Sequence, residues 1–351
     1  MPRLLCIQAH LYGHTHEVLF VGRQRVQGII EKAGALNVVP AGKPAVSIPA
    51  TDVAFVTDVI KLVDFDPDYV LVTLKGTQVG EAFRQLDGRR FSEKTVFVSL
   101  QNGARNPDQI RTFVPDNRVL GGMVPFNVAI SSPEDGSRFY QGTGGDIMIE
   151  ASEVTEPIAQ ALREAGVPLR VTDNIKGVLY AKLATNLNNA VNALSGVNLL
   201  AEFSQYSFRY IWSRCISEAL TIYAAHNIKA VSPFPIPLEA FSYMLAFPDF
   251  VCNFLFRNIF KVKAEARSSM GDDFMNRRAT EIGDLNGEIV RLAEEIGRGD
   301  DVRYCRGVLW LVVEAERRQK EEWGGPEWRP SLTGEQIMAY VEKGIKEDYP
   351  F

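Results

Sequence analysis

Roughly the first 150 residues alternate short β-branched runs with turn chemistry, and that alternation leaves few folds open. His16–Gly22 (HEVLFVG), Tyr69–Leu74 (YVLVTL), Thr95–Leu100 (TVFVSL) and Arg118–Val124 (RVLGGMV) are flanked by Gly, Asp or Asn and read as strands. Thr77–Leu86 and Pro107–Phe113 fit short helices between them. Repeated βα units predict a largely parallel sheet, with ligands at the carboxyl ends of its strands.

The pattern changes after Ala151. Pro157–Ala165 and Gly177–Leu200 read as helices, the second long and rich in asparagine. Ser207–His226, Arg278–Ile296 and Arg303–Gln319 continue the helical periodicity. Glu321–Pro330, rich in Trp, Gly and Pro, reads as an irregular arm before a last helix from Thr333. At 351 residues the chain exceeds a single core, which rarely grows past about 250–300 residues. The expectation is an α/β domain over 1–170, a helical domain over 171–325 and a tail over 326–351, with a cleft between the two domains.

Composition removes several functions. A net charge of −5 with dispersed Lys and Arg gives no basis for nucleic-acid binding. Cys6, Cys215, Cys252 and Cys305 show no metal-ligand spacing and fit inert thiols in a reducing compartment, so a cytoplasmic location is expected. No signal peptide is visible in Met1–Gln8. The apolar stretch Phe234–Phe260 is interrupted by Glu239, Pro248, Asp249 and Arg257, which argues against a membrane span. It reads as two short helices and is compatible with a homodimer.

Four constellations carry polar chemistry. Lys75 follows the run VTL at the end of a buried strand, where a charge is costly unless it meets an anion. Gln101-Asn102-Gly103 ends the next strand with amides and a glycine. Lys182 and Asn186 lie one helical turn apart, followed by Asn188, Asn189 and Asn192. The segment Ala266–Gly287 reads as one helix in which Ser269, Asp273, Arg277 and Glu281 recur at four-residue steps. Such a ladder serves a polar cleft or an ordinary salt-bridged face.

In this order the motifs LVTLKG, SLQNG, KLATNLNNAVNALSG and ARSSMGDD…TEIGDLNG, with His14–Val18, resemble the ketopantoate reductase (2-dehydropantoate 2-reductase) family, of the 6-phosphogluconate-dehydrogenase-like group. The likeness runs from about Tyr12 to about Glu314. It implies a Rossmann-like domain followed by an all-helical one, and hydride transfer from NADPH to the ketone of a 2-oxo acid. Lys182 would then be the general acid, and Glu281 would orient it and the substrate. Asn186 and Ser269 would hold the substrate's oxygens, with Asn189 or Asn192 as a second amide. Lys75 and Asn102 match positions that meet cofactor and substrate at the sheet's edge. Arg23, with Arg25 nearby, follows the strand whose end selects between the two dinucleotides, and an arginine there accommodates the 2′-phosphate of NADPH.

The chain departs from the family at its start. Only 22 residues precede Arg23, whereas a complete βαβ unit needs about 30. Met1–Tyr12 contains no glycine and reads as the remnant of a first helix, so the first strand and its G-x-G-x-x-G turn are expected to be absent. Ala266 also stands where many members carry an asparagine. Three readings follow: a reductase of ketopantoate in pantothenate biosynthesis, a reductase of another small branched 2-oxo acid, or a non-enzymatic paralogue that lost cofactor binding with its glycine loop.

Overall fold

A β-branched run becomes a strand only where a neighbour takes up its backbone groups, and this decides how much of each run is extended here. The computed structural model describes residues 16–131, 137–232, 236–259, 262, 266–325, 327–344, 346 and 349–351. The reading of Met1–Tyr12 lies outside them. The chain divides into two units, Met1–Ile175 and Lys176–Phe351.

The first unit runs β1 (Phe20–Val21), α1 (Gln24–Ala33), β2 (Ala35–Val39), β3 (Val46–Pro49), β4 (Phe55–Val56), α2 (Ile60–Phe65), β5 (Tyr69–Val72), α3 (Gly76–Arg84), β6 (Val96–Ser99), α4 (Asn106–Arg111), β7 (Val119–Met123), β8 (Val128–Ile130), β9 (Phe139–Gln141), β10 (Ile147–Glu150), α5 (Glu156–Glu164) and β11 (Leu169–Thr172). Five strands form one sheet in the order β11-β10-β7-β6-β5, in which β5, β6 and β7 are parallel and β10 runs against β7. A four-stranded sheet has the order β3-β2-β9-β8, and among the described residues β1 pairs with β4 alone, in parallel. Of the run His16–Gly22, only Phe20 and Val21 are therefore strand, because they are the residues in register with Phe55 and Val56.

Side-chain alternation along β5, β6 and β7 builds a core on each face of the five-stranded sheet. Val72, Phe97 and Val119 pack with Val79 of α3 and Ile110 of α4 on one side. Val96, Val98 and Leu120 pack with Ile158 and Leu162 of α5 on the other.

The second unit is helical, but its long helices are more broken than periodicity suggests. Gly177–Leu200, expected as one helix, is three: α6 (Ile175–Asn186), α7 (Asn188–Ser195) and α8 (Leu199–Phe203). The first break falls at Leu187, whose amide reaches the Ala184 carbonyl only three residues back at 3.4 Å. The second falls at Gly196 in the left-handed region (φ 69°), after which Asn198 caps α8 by accepting the Ala201 amide at 2.8 Å. Then follow α9 (Tyr206–Ala225), α10 (Leu238–Met244) and α11 (Asp249–Phe254), which continues into a π-turn over Leu255–Ile259.

Ala266–Gly287 is likewise not one helix. α12 (Ser269–Met275) ends where Asn276 turns its side chain back to the Asp272 carbonyl (2.7 Å) and Arg277 adopts a left-handed φ of 50°. The Arg278 amide closes the turn on the Asp273 carbonyl at 2.8 Å. A 3₁₀ turn at Ile282–Asp284 leads into α13 (Asn286–Glu295), so Arg278–Ile296 is helical only in its second part. The four-residue ladder is thus interrupted after Asp273, which pairs with Arg278 at 3.2 Å.

α14 (Arg303–Lys320) and α15 (Gly334–Lys343) complete the unit. Thr333 caps α15 in a capping box with Gln336. Past residue 326, Ile337, Tyr340 and Val341 are buried, and the Leu332 amide bonds the Leu194 carbonyl of α7 at 2.9 Å.

Within α9, Arg209 is fully buried. Its guanidinium donates to the carbonyls of Phe203, Leu245 and Phe247 and to the Asp249 carboxylate at 2.8–3.1 Å. This clamp fixes α10 and α11, which turn Tyr243, Phe250 and Phe254 outward. Among the described residues, no helix is long and apolar enough to cross a membrane.

Gly196 has two constraints at once. Its φ is left-handed, and a Cβ there would lie 2.7 Å from the Pro330 carbonyl oxygen. Gly196→Ala is expected to destabilise the second unit by about 2–3 kcal/mol. The chain's tryptophans, Trp212, Trp310, Trp323 and Trp328, all lie in that unit, so urea unfolding followed by their fluorescence measures the loss.

Candidate functional site

In the first unit the polar residues collect at the carboxyl ends of strands. Arg23 follows β1 at the N-cap of α1 and is exposed, as is Arg25. Lys75 follows β5 at the N-cap of α3, and Asn102 follows β6; both are half-buried. Gln101 ties these two loops together, donating to the Leu74 carbonyl at 2.8 Å and accepting from Ser99 at 3.1 Å. The Asn102 carbonyl accepts from the Asn106 side chain, which anchors the second loop to α4.

In the second unit a stripe of partly exposed polar side chains runs along an otherwise buried segment. Lys182, Thr185, Asn186 and Asn189 are half-buried, whereas Leu183, Ala184, Leu187, Asn188 and Ala190 are buried. The spacing places the stripe on one helical face despite the break at Leu187. Ser269 joins it from α12, with the Asn189 amide donating to the Ser269 hydroxyl at 3.3 Å. Glu281 is half-buried and opens the 3₁₀ turn, its carbonyl accepting the Asp284 amide at 3.0 Å. The neighbouring Thr280 is held by Glu316, which accepts its amide at 2.6 Å.

Asn192, expected to meet substrate, is placed otherwise. It is buried, and its side chain is engaged within the fold. Its amide nitrogen donates to the Val197 carbonyl (3.0 Å) and to Glu202 (2.6 Å), while its oxygen accepts the Ser268 amide (2.9 Å). Ser268 in turn caps α12 by accepting the Gly271 amide at 3.0 Å. Gly271 allows this approach, because a Cβ there would sit 2.9 Å from the Asn192 oxygen.

The sequence reading missed Glu202, Ser268 and the role of Asn188. Ser268 carried a signal, a serine directly before a helix start. Glu202 did not, since a lone acid in LLAEF reads as a solvated position. It is wholly buried, and burial pushes its pKa up to about 8 against hydrogen bonds from Asn192 and Asn188. One Glu202 oxygen and the Asn188 side-chain oxygen are both buried acceptors with no donor.

Comparison with known proteins assigns both units to one family. A family model described as "Ketopantoate reductase PanE/ApbA" matches residues 5–153, and one described as "Ketopantoate reductase PanE/ApbA C terminal" matches residues 174–309. The 2-dehydropantoate 2-reductase of Archaeoglobus fulgidus is 25% identical over 72% of this chain and 77% of its own length. The fold matches a PanE/ApbA family ketopantoate reductase from Ralstonia eutropha with a TM-score of 0.72 at 22% identity, covering 90% of this chain and 95% of that one. It also matches D-mandelate dehydrogenase in ternary complex with NADH and anilino(oxo)acetate, with the same TM-score and coverage at 19% identity.

The buried acids set a pH response. Glu218, whose carboxylate caps α14 by accepting the Tyr304 and Cys305 amides at 2.8 and 2.9 Å, is raised by burial to about 7. Both folded-state values lie above the ordinary 4.5. The folded chain therefore holds protons that the unfolded chain releases between pH 4.5 and about 7–8. The stability they contribute is complete below pH 4.5 and declines as pH rises through that window, by up to about 1.4 kcal/mol per pH unit for each group. Tryptophan-monitored urea midpoints should fall from pH 5 to pH 8, and Glu202→Gln should flatten the fall; parallel curves would mean that Glu202 titrates normally.

Proposed function

Because the chain belongs to the ketopantoate reductase family, we propose that it reduces a small 2-oxo acid to the 2-hydroxy acid in the cytoplasm with NADPH, ketopantoate to pantoate being the first substrate to test. The observation that carries this reading is the polar stripe of Lys182, Asn186 and Asn189 with Ser269 bonded to its end. A 2-oxo acid presents a carboxylate and a ketone within one small molecule, and this stripe offers a cation, two amides and a hydroxyl within a few turns. When bound, the reduced nicotinamide supplies the hydride to the carbonyl carbon. The Lys182 ammonium gives its proton to the carbonyl oxygen as negative charge develops there, so one hydride and one proton convert ketone to alcohol. Asn186 and Ser269 hold the substrate's oxygens, and Glu281 orients Lys182 and the substrate. Asn189 is the second amide in this reading, since Asn192 is engaged with Ser268, Val197 and Glu202.

Arg23 and Arg25 are exposed past β1, where a 2′-phosphate would be met, and Lys75 and Asn102 stand at the ends of adjacent strands.

A second reading, reduction of another 2-oxo acid, is favoured by the likeness to D-mandelate dehydrogenase, whose complex holds anilino(oxo)acetate. Comparing kcat/KM for ketopantoate and for bulkier aryl 2-oxo acids decides between the two. A homodimer would use the outward Tyr243, Phe250 and Phe254 of α10 and α11.

Lys182→Ala is expected to lower kcat by a factor of about 100 or more, with a smaller change in KM. An unchanged kcat would remove Lys182 from the chemistry. Arg23→Ala should weaken NADPH by about tenfold and leave NADH nearly unchanged, as read by cofactor fluorescence titration. Equal losses would mean that Arg23 does not read the 2′-phosphate.

A further inference from the structure

Twelve residues separate Ser269 from Glu281. One unbroken helix would set them about 18 Å apart, beyond the span of a small 2-oxo acid. The chain instead breaks between them. α12 ends at Met275, Arg277 takes its left-handed φ, and Glu281 opens a 3₁₀ turn. The break frees the two side chains from helical spacing, so another element has to fix one against the other.

α14 is that element. Gln319 is buried in its last turn and donates its side-chain amide to the Phe274 carbonyl, in the last turn of α12, at 3.0 Å. The Arg277 guanidinium donates in return to the Gln319 carbonyl at 2.5 Å, at the helix end where a cation is favoured. Glu316, three positions before Gln319 and so on the same face, accepts the Thr280 amide at 2.6 Å. A backbone amide given to a carboxylate is a charge-assisted bond, roughly twice as strong as a neutral one.

Thr280 passes that hold to Glu281. It is buried, and its hydroxyl accepts the Ile282 amide at 3.3 Å, while the Glu281 carbonyl accepts the Asp284 amide at 3.0 Å. The backbone of Glu281 is therefore fixed through the residue before it and the residue after it. α14 also packs against α7, which carries Asn189, the donor to Ser269. One helix thus backs three members of the polar site.

We infer that Glu316 and Gln319 are positioning residues for the reduction. Glu316 holds Glu281 and Gln319 holds the far end of the Ser269 helix, so α14 sets the distance between the two. The inference rests on the 2-oxo acid reductase reading. It also divides the effects: Glu281 orients Lys182, so its displacement appears in kcat, whereas Ser269 holds substrate oxygens, so its displacement appears in KM.

The test uses the full chain with NADPH and ketopantoate. Glu316→Met keeps the side chain's length without its acceptor, and Glu316→Gln keeps an acceptor in the same place. The first should lower kcat by about tenfold with KM nearly unchanged, and the second should recover most of that loss. Gln319→Leu should raise KM by about fivefold with a smaller change in kcat. Hydrogen exchange at the Thr280 amide should quicken in Glu316→Met and stay slow in Glu316→Gln. A merely structural role would lower urea midpoints in Glu316→Met and Gln319→Leu without separating kcat from KM. An unchanged kcat in Glu316→Met, no recovery in Glu316→Gln, or parallel changes in both constants overturns the inference. If Lys182→Ala abolishes turnover while Glu316→Met retains it, this inference alone falls; if Lys182→Ala retains kcat, the reductase reading of the stripe falls first. Should Glu316→Met fail to fold, the KM of Gln319→Leu decides.

Discussion

One buried side-chain amide holds the polar face of the second unit in register. Asn192 joins α7 to α8 through Glu202, to the following turn through Val197, and to the start of α12 through Ser268. A carboxamide is suited to this, since it donates and accepts at once and can serve three backbone or side-chain partners without a charge. Ser268 caps α12, and the next residue is Ser269, so the position of that hydroxyl beside Asn189 depends on a group that does not touch it directly. Behind Asn192 stands Glu202, kept neutral by burial. Its pKa is raised by burial to about 8, against the hydrogen bonds from Asn192 and Asn188.

The first unit has a different logic. Its apolar core is divided between two faces of one sheet, and its polar residues sit in the loops that leave β5 and β6. Gln101 bridges those loops, which fixes the carbonyl just before Lys75 relative to the residue just before Asn102. The result is a pair of polar loops on a rigid parallel scaffold, the arrangement by which α/β sheets present ligand-binding groups.

Much of this was legible in the residues, and the exceptions share a cause. The runs YVLVTL and TVFVSL became β5 and β6 because β-branched residues on a buried parallel sheet leave little alternative. The last helix expected from Thr333 is present, and Thr333 caps it. What failed was continuity. Leu187 and Asn276 do not look like breaks in the sequence, and the turn after Asn276 is held by a distant partner, the Gln319 carbonyl that receives the Arg277 side chain. Asn192 looked like Asn186 and Asn189 in the sequence, and only burial separates the amide that builds the fold from those that face outward. Glu202 could not be found, since nothing in LLAEF says that its acid points inward.

The clamp around Arg209 reaches beyond its neighbours. A buried guanidinium held by three carbonyls and a carboxylate cannot let go of any one without leaving a charge poorly solvated. The clamp therefore holds the turn between α10 and α11 from within, next to their outward rings Tyr243, Phe250 and Phe254. A body that settles on those rings gains by removing their area from water, while the backbone that carries them is already held by the buried guanidinium.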